Sequence, residues 1–435
     1  MIEKKIAVYT LGCKVNQYET EAVLESFLQN GFSCADFSQY ADVYIVNTCT
    51  VTGLGDRKSR QIIRRAKSVN PDSVLVVMGC YAQTAQEEIL KIPEVDIVLG
   101  TSGRDKIFEV VKDFINNRER KNLVGDIFKQ KEFEELEISN FDNKTRAFLK
   151  VQDGCNRYCS YCIIPYARGN IRSRSLENSV KEAKKLVESG FCELVLVGIH
   201  LASYGQETKN LGLSNLINAL TNIEGLKRIR LGSLEPTIFT EDFIKTIALN
   251  KKVCHHFHIS LQSGCDETLK RMNRRYTTEE YLEAVKNIRE KMPDSAITTD
   301  IMTGFPGETD EEFEKTCEFI KKVKFADAHI FKYSIRKGTK AAHMANQVSP
   351  CIKEERSRKL VSLIENSRKE FNESFLGKET FVLFERPYNK EKNLLEGKTA
   401  NYITVVAEAE HEYEGKILKV KIEKAEDDIL FGKIV

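Results

Sequence analysis

Residues 153–169 read DGCNRYCSYCIIPYARG, and Cys155, Cys159 and Cys162 within them follow the pattern C-x3-C-x2-C. Three thiolates on one tight loop can hold three corners of a cubane iron–sulfur cluster, which ordinarily takes four cysteines. The fourth iron is then left open, and an open metal position is where a substrate or cofactor binds. A zinc knuckle or a set of buried structural thiols is the plainer reading of the same residues. Zinc would want a second ligand pair close by, but the next cysteine, Cys192, stands 30 residues on at the head of an apparent strand. The spacing therefore favours a cluster.

Around this loop the chain alternates strand-like and helix-like segments from Arg146 to about residue 345. The strands are AFLKVQ (147–152), ELVLVG (193–198), RIRLGS (228–233), HHFHIS (255–260), AITTDIMTG (296–304) and AHIFKYS (328–334), with helices such as 177–190 and 278–292 between them. Six such units predict a partial (βα)6 barrel with ligands at the strand carboxyl ends. The first 115 residues alternate too. Strands are expected over 5–11, 43–48, 73–79 and 95–101, and helices over 17–30, 56–69, 84–92 and 103–115. That pattern predicts an α/β domain on a parallel sheet. Residues 116–140 are polar and acidic and read as a linker or surface loop, and 352–375 as one amphipathic helix. The tail has short alternating strands split by Gly and charged turns, the pattern of a small antiparallel β-barrel. The expected division is 1–115, 116–140, 141–370 and 371–435.

The totals bound the class. The chain has 435 residues, 41% of them hydrophobic, 30% charged, and a net charge of +2, so a nucleic-acid partner would have to be met by local basic patches. Its opening, MIEKKIAVYT, runs from charge straight into a strand, and no apolar stretch reaches the length of a membrane span. A reducing cytoplasm is the expected compartment, and there clustered cysteines, among the 12 present, mean metal or catalysis.

A second triad follows from the predicted fold. Cys13, Cys49 and Cys80 each close a predicted strand, in AVYTLGC, VYIVNTC and VLVVMGC. In a parallel sheet these ends emerge on one edge, where α/β sheets bind ligands. Gly12 and Gly79 precede two of them and allow close backbone approach. One buried cysteine at a strand end is unremarkable; three in equivalent places point to a second metal site. Cys34, Cys192, Cys254, Cys265, Cys317 and Cys351 show no ligand spacing.

With both triads in view, the chain resembles the radical-SAM methylthiotransferase family over nearly its whole length, carried by CSYCIIPYARGNIRSRS (159–175) and by three regions in the family's order. The opening TLGCKVNQYET (10–20) resembles the MtaB branch, which acts on N6-threonylcarbamoyladenosine (t6A) beside the anticodon of tRNA; sister branches act on isopentenyladenosine or on an aspartate of a ribosomal protein. The resemblance implies two [4Fe-4S] clusters and S-adenosylmethionine (SAM) as methyl donor and radical source. The cluster on Cys155, Cys159 and Cys162 would cleave SAM, and the resulting radical would take hydrogen from carbon 2 of the adenine. The cluster on Cys13, Cys49 and Cys80 would present the sulfur to be methylated and transferred.

It also implies a C-terminal TRAM domain and SAM contacts from Tyr161, Gly198, Ser233, Glu235, Gln262, Arg274 and Asp300, with His200, Ser263 and the Gly304/Pro306/Gly307 turn as further candidates. Each has a plainer reading as a cluster-shielding aromatic, a satisfied polar group or a tight turn. The family more often has Ser where Cys265 stands. The implied partners are the tRNA anticodon stem-loop, an electron donor such as flavodoxin or ferredoxin, and an unidentified sulfur donor, with the chain expected to be a monomer.

Three basic runs are candidate phosphate contacts: Arg57, Lys58, Arg60, Arg64, Arg65 and Lys67; Arg168, Arg172 and Arg174; and Lys270, Arg271, Arg274 and Arg275. Charge runs are more often solvated helix faces. From Phe371 to Val435, 10 Lys/Arg face 13 Asp/Glu, so the tail would grip RNA only through a face such as Arg386, Lys390, Lys392 and Tyr402, or would serve to orient the core. A non-catalytic iron–sulfur electron carrier or RNA-binding module is the alternative of a different class.

Overall fold

A computed structural model of the chain describes residues 4–138, 145–208, 212–389 and 393–435. The N-terminal sheet is wholly parallel: β1 (Lys5–Thr10), β2 (Ser33–Cys34), β3 (Val43–Thr48), β4 (Val74–Gly79), β5 (Ile97–Val98) and β6 (Lys121–Asn122), in the order β2-β1-β3-β4-β5-β6. VYIVNT and VLVVMG of β3 and β4 are buried at every position, as central strands covered on both faces require. Ile62, Ile63 and Ala66 of helix Gly53–Val69 cover one face. Val23, Leu24 and Phe27 of helix Lys14–Leu28, with Val111 and Phe114, cover the other. Each fully buried side chain of this size is worth about 1.5–3 kcal/mol. The helix expected over 84–92 is two short ones, Cys80–Thr84 and Gln86–Leu90.

The stretch read as a linker or surface loop is instead built into the molecule. It supplies β6, its Leu136 and Ile138 are buried in the core of the central domain, and its Glu134 pairs with buried Arg104. Polar composition hid this because the few apolar residues carry the contacts. Part of it, 139–140, lies outside the described residues.

The central domain follows with β7 (Ala147–Lys150), an antiparallel pair β8 (Gln152–Asp153) and β9 (Arg172–Ser173), then β10 (Glu193–Val197), β11 (Arg228–Leu231), β12 (His256–His258), β13 (Ala296–Thr303) and β14 (Asp327–Lys332). All six strands expected there are present. They form two parallel three-stranded sheets, β11-β10-β7 and β12-β13-β14, joined by the parallel bridges Ile229–Val253 and Leu234–Ile259 into one open arc.

Helix Pro350–Glu373, capped by Ser349 and started by Pro350, leads to a closed barrel of β15 (Glu379–Asn389), β16 (Leu394–Thr399), β17 (Thr404–Glu408), β18 (Ile417–Glu426) and β19 (Ile429–Ile434). The barrel is not wholly antiparallel: β17 and β19 pair in parallel. It is fastened to the core by Arg228, which donates to the carbonyls of Phe381 (2.7 Å) and Lys398 (3.0 Å), and by Arg230, which donates to those of Thr399 (3.1 Å) and Ala400 (3.0 Å). Among the described residues no helix is long and apolar enough to cross a membrane.

Candidate active site: two cysteine triads on one cavity

Strand register brings the dispersed triad together. Thr10 lies beside Asn47 and Thr48 beside Gly79, so Cys13, Cys49 and Cys80 leave the sheet at one edge. Gly12 has φ +104°, and a Cβ there would stand 3.1 Å from the Cys49 sulfur. Gly79 has φ +100°, and a Cβ would run into Asn47 and the Thr48 backbone. Both glycines therefore serve close approach of neighbouring strands. Asn16 straps the edge, donating to the carbonyls of Leu11 (2.8 Å) and Thr48 (3.1 Å).

Cys13 and the loop triad Cys155, Cys159 and Cys162 face one cavity of about 860 Å³, with Cys49 half-buried and Cys80 buried beside Cys13. Every SAM contact implied by the resemblance lines the same cavity: Tyr161, Gly198, Ser233, Glu235, Gln262, Arg274 and Asp300, with His200. Ser263 is buried beneath and does not line it. The Gly304/Pro306/Gly307 turn lies apart, with Gly304 packed on Lys353 and its N–H donated to Glu308 (2.7 Å), so it is a tight strand-to-helix turn.

The groups at the strand ends hold one another. Arg274 donates to the Cys159 sulfur at 3.2 Å and pairs with Glu235 at 3.1 Å. Glu235 also meets Arg157 (2.7 Å) and His200 Nε2 (3.1 Å). Burial would raise the Glu235 carboxyl, but the His200 hydrogen bond, Arg274 and Arg157 outweigh it and hold it at about 2. Asp300 meets His258 Nε2 at 3.3 Å. Gln262 holds a left-handed backbone, φ +71°, tied to Asp300 and Met302.

Arg168, Arg172 and Arg174 are not phosphate contacts; all three are at most 3% exposed. Arg168 donates to the Cys80 sulfur at 3.2 Å, to Asn16 Oδ1 at 2.6 Å and to both carboxylate oxygens of Glu19. Glu19 and Asp153 are shared with Lys150 at 2.7 Å each, and Arg104 joins from the N-terminal domain. Burial opposes the charge on both carboxylates, and the surrounding cations overcome it and hold them well below the usual range. Arg172 also lies on Asp153, and Arg174 pairs with Glu135 and Glu182. The run looked like a surface patch because its acidic partners are far away in sequence.

The other patches divide. Arg57, Lys58, Arg64 and Arg65 are exposed, whereas Lys67 pairs with Asp96 and Arg60 donates to Tyr81. Lys270 and Arg275 are exposed, and Arg271 pairs with Glu312. In the barrel Arg386 is exposed and paired with Glu396, and Lys390 and Lys392 lie outside the described residues. Tyr402 is not on an outer face; it reaches into the cavity and stacks on His256, ring centroids 4.8 Å apart.

Family profiles match this architecture: "Radical SAM superfamily" over residues 149–320 and "Uncharacterized protein family UPF0004" over residues 5–100. The chain is 45% identical to the threonylcarbamoyladenosine tRNA methylthiotransferase MtaB of Bacillus subtilis, over 97% of this chain and 94% of that one. It is 42% identical to the MtaB of Aquifex aeolicus, over 96% and 100%. The chain belongs to the radical-SAM methylthiotransferase family. More distant members include the tRNA-2-methylthio-N(6)-dimethylallyladenosine synthase of Moorella thermoacetica, 34% identical over 99% and 98%. A solved radical SAM methyltransferase, TsrM from Kitasatospora setae, shares the fold with TM-score 0.57 at 14% identity, over 78% of this chain and 77% of that one.

Membership in the methylthiotransferase family brings SAM and a [4Fe-4S] cluster, and the loop triad fits that cluster. Burial pushes the Cys155 thiol up to about 11 and the Cys162 thiol up to about 12. Thiols held protonated in this way are inert until a metal displaces their protons. The Arg274 guanidinium aimed at the Cys159 sulfur is placed for a thiolate, not a thiol. The dispersed triad repeats this arrangement: burial pushes Cys80 up to about 12, and Arg168 is aimed at its sulfur.

Sequence reasoning missed Glu19, Lys14 and His256, and took Arg168 for a phosphate contact. A signal for His256 was present: residues 256, 258, 260 and 262 alternate along β12 and the segment that follows it, and all four line the cavity.

Proposed function

We propose that this chain is a tRNA methylthiotransferase that converts t6A beside the anticodon to 2-methylthio-t6A. The observation that carries the reading is a pair of three-cysteine sites meeting at one cavity, which the loop triad lines in full and the dispersed triad reaches through Cys13, with Cys49 half-buried and Cys80 buried beside it. The relatives named for t6A stand at 45% and 42% identity, against 34–36% for those named for dimethylallyladenosine.

Two [4Fe-4S] clusters are proposed, one on Cys155, Cys159 and Cys162 and one on Cys13, Cys49 and Cys80. When bound, the first supplies the electron that cleaves SAM and the second the site from which sulfur is delivered to carbon 2. The chain's own groups bind and orient. Tyr161, Gly198, Ser233, Glu235, Gln262, Arg274 and Asp300 are the proposed SAM contacts. Arg274 neutralises Glu235 while donating to Cys159, so the strand-end carboxylate stays ionised near the thiolates. The exposed cations of helix Gly53–Val69, which starts just after Cys49, are the proposed face for the anticodon stem.

The proposed domains are 1–115, 141–370 and 371–435, with 116–140 as the connection. A flavodoxin- or ferredoxin-type electron donor and a monomeric, cytoplasmic state complete the proposal. The test is mass spectrometry of digested tRNA from a strain lacking the gene. Loss of 2-methylthio-t6A supports the reading, and loss of the isopentenyl product alone overturns it.

A further inference from the structure

Tyr402 enters the cavity from the C-terminal barrel on a backbone that few residues tolerate, φ +69°. Its turn is pinned by Tyr402 N–H to the Thr399 carbonyl (3.0 Å), Ile403 N–H to Thr399 Oγ1 (3.1 Å) and Asn401 Nδ2 to the Asp294 carbonyl (2.5 Å). Such a conformation persists only where the surroundings enforce it, and here they place one ring. Around that ring stand cations from all three domains: Arg230 at 4.8 Å from its centroid, Lys398 at 4.9 Å, Arg146 at 5.3 Å and Lys14 at 5.9 Å.

The anions do not balance them. Glu193 serves Arg228 and Arg230, and Glu385 serves Arg146. Glu396, further off, is paired with Arg386. Among the described residues Lys14 and Lys398 make no ion pair, and Lys398 donates only to Thr404 Oγ1 at 2.6 Å. His256, 6% exposed and lining the same end of the cavity, bonds Thr298 through Nε2 and leaves Nδ1 without a partner. Burial raises the Tyr402 phenol, yet Arg146 and Lys14 overcome it and bring it below its ordinary value, a measure of the positive field.

Position gives the field a use. Lys14 directly follows Cys13, the thiol of the dispersed triad that faces the cavity. His256 opens β12, whereas Ser260 lies four residues along, roughly 13 Å at about 3.3 Å per residue, towards the end that carries Glu235 and Arg274. The cavity thus has a thiol-lined end, where the purine ring must meet its reagents, and a part lined by Lys14, Tyr402 and His256, with Arg230, Arg146 and Lys398 standing around the Tyr402 ring outside the lining.

We propose that Lys14 and Tyr402 at the cavity wall, backed by Lys398 against the Tyr402 ring, form a carboxylate subsite for the threonyl arm on N6 of the target adenosine. The inference rests on the t6A reading above and gives it a selectivity device. A threonylcarbamoyl arm ends in a carboxylate, which can accept a charge-assisted hydrogen bond from Lys14 and is drawn by the charge of Lys398 behind the ring. A dimethylallyl arm is hydrocarbon and would leave those cations desolvated without a partner, which penalises the wrong substrate. SAM carries a carboxylate too, so the test separates the two sources.

The reconstituted full-length enzyme is titrated with one anticodon stem-loop RNA carrying either t6A or its methyl ester at the target position, and SAM binding is measured separately. The wild type is expected to bind the acid about ten- to a hundredfold more tightly than the ester, the span of a hydrogen bond to a charged group. Lys14→Gln and Lys398→Gln, made separately, are expected to bring that ratio close to one, and Lys14→Arg to keep most of it. A ratio unchanged in both Gln variants overturns the subsite. So does a weakened SAM affinity with the ratio intact, which would give the cations to SAM. The ratio is internal to each preparation, so partial misfolding of one variant does not mimic the result. If the wild type turns over only an RNA bearing dimethylallyladenosine, it is the substrate reading that fails, a result distinct from an unchanged ratio on t6A RNA.

Discussion

Cys155, Cys159 and Cys162 share one loop, whereas Cys13, Cys49 and Cys80 come from the ends of three strands and meet only when β1, β3 and β4 pair in register. The first set carries its geometry in its spacing. The second borrows its geometry from a sheet and from its neighbour: Arg168, six residues after Cys162, crosses from the loop to donate to the Cys80 sulfur. One site is local and can organise itself; the other is a property of the assembled fold and depends on the first domain docking against the second through Glu19, Arg104, Lys150 and Asp153.

The largest expected effect separates the two by chemistry. Cys159→Ala should abolish SAM cleavage and product alike, while Cys49→Ala should abolish the methylthiolated product and leave SAM cleavage measurable. Chromatography of 5′-deoxyadenosine and modified nucleoside from the same reaction reads both. Full product from Cys49→Ala would erase the distinction between the triads.

Next comes the bridge. Arg168→Met leaves Glu19 and Asp153 short of a buried cation, a change that costs about 3–5 kcal/mol. The denaturation midpoint should fall accordingly, and Arg168→Lys, which keeps charge but not the planar fork, should recover part of the loss. A variant as stable as the wild type would mean the dispersed triad does not lean on the loop.

Acid should act on the same bridge. Glu19 and Asp153 have their pKa values depressed in the fold, so their contribution is complete above the ordinary glutamate value of 4.5 and is lost as pH falls below it toward the folded values. Circular dichroism at falling pH should show stability declining from about pH 4.5 downward, with the Arg168→Met variant showing a shallower decline. A flat profile would contradict the linkage. The smallest effect concerns RNA: Arg64→Ala should weaken binding of the stem-loop severalfold at low salt and reduce the salt slope by about 0.9. An unchanged slope would remove the helix Gly53–Val69 face from the interface.

What could be read from the residues alone follows the same division. Strands β3, β4 and β10 were evident because buried parallel strands are near-continuous apolar runs. The dispersed triad could be inferred once those strands were placed, since strand ends share an edge. The fate of Arg168 could not, because its partner Glu19 lies 149 residues earlier and a run of arginines after a loop looks like a surface. Tyr402 was misplaced for a related reason: only the docking of Arg228 and Arg230 onto the barrel backbone turns it inward. The acidic stretch 116–140 read as a linker or surface loop because Leu136 and Ile138 are too few to show a period, yet both are buried.

Iron and sulfide analysis after anaerobic reconstitution tests the account most directly. The wild-type chain should hold about eight irons, and the triple variants Cys155→Ala/Cys159→Ala/Cys162→Ala and Cys13→Ala/Cys49→Ala/Cys80→Ala about four each. A wild type with about four irons, unchanged on removing Cys13, Cys49 and Cys80, would contradict it.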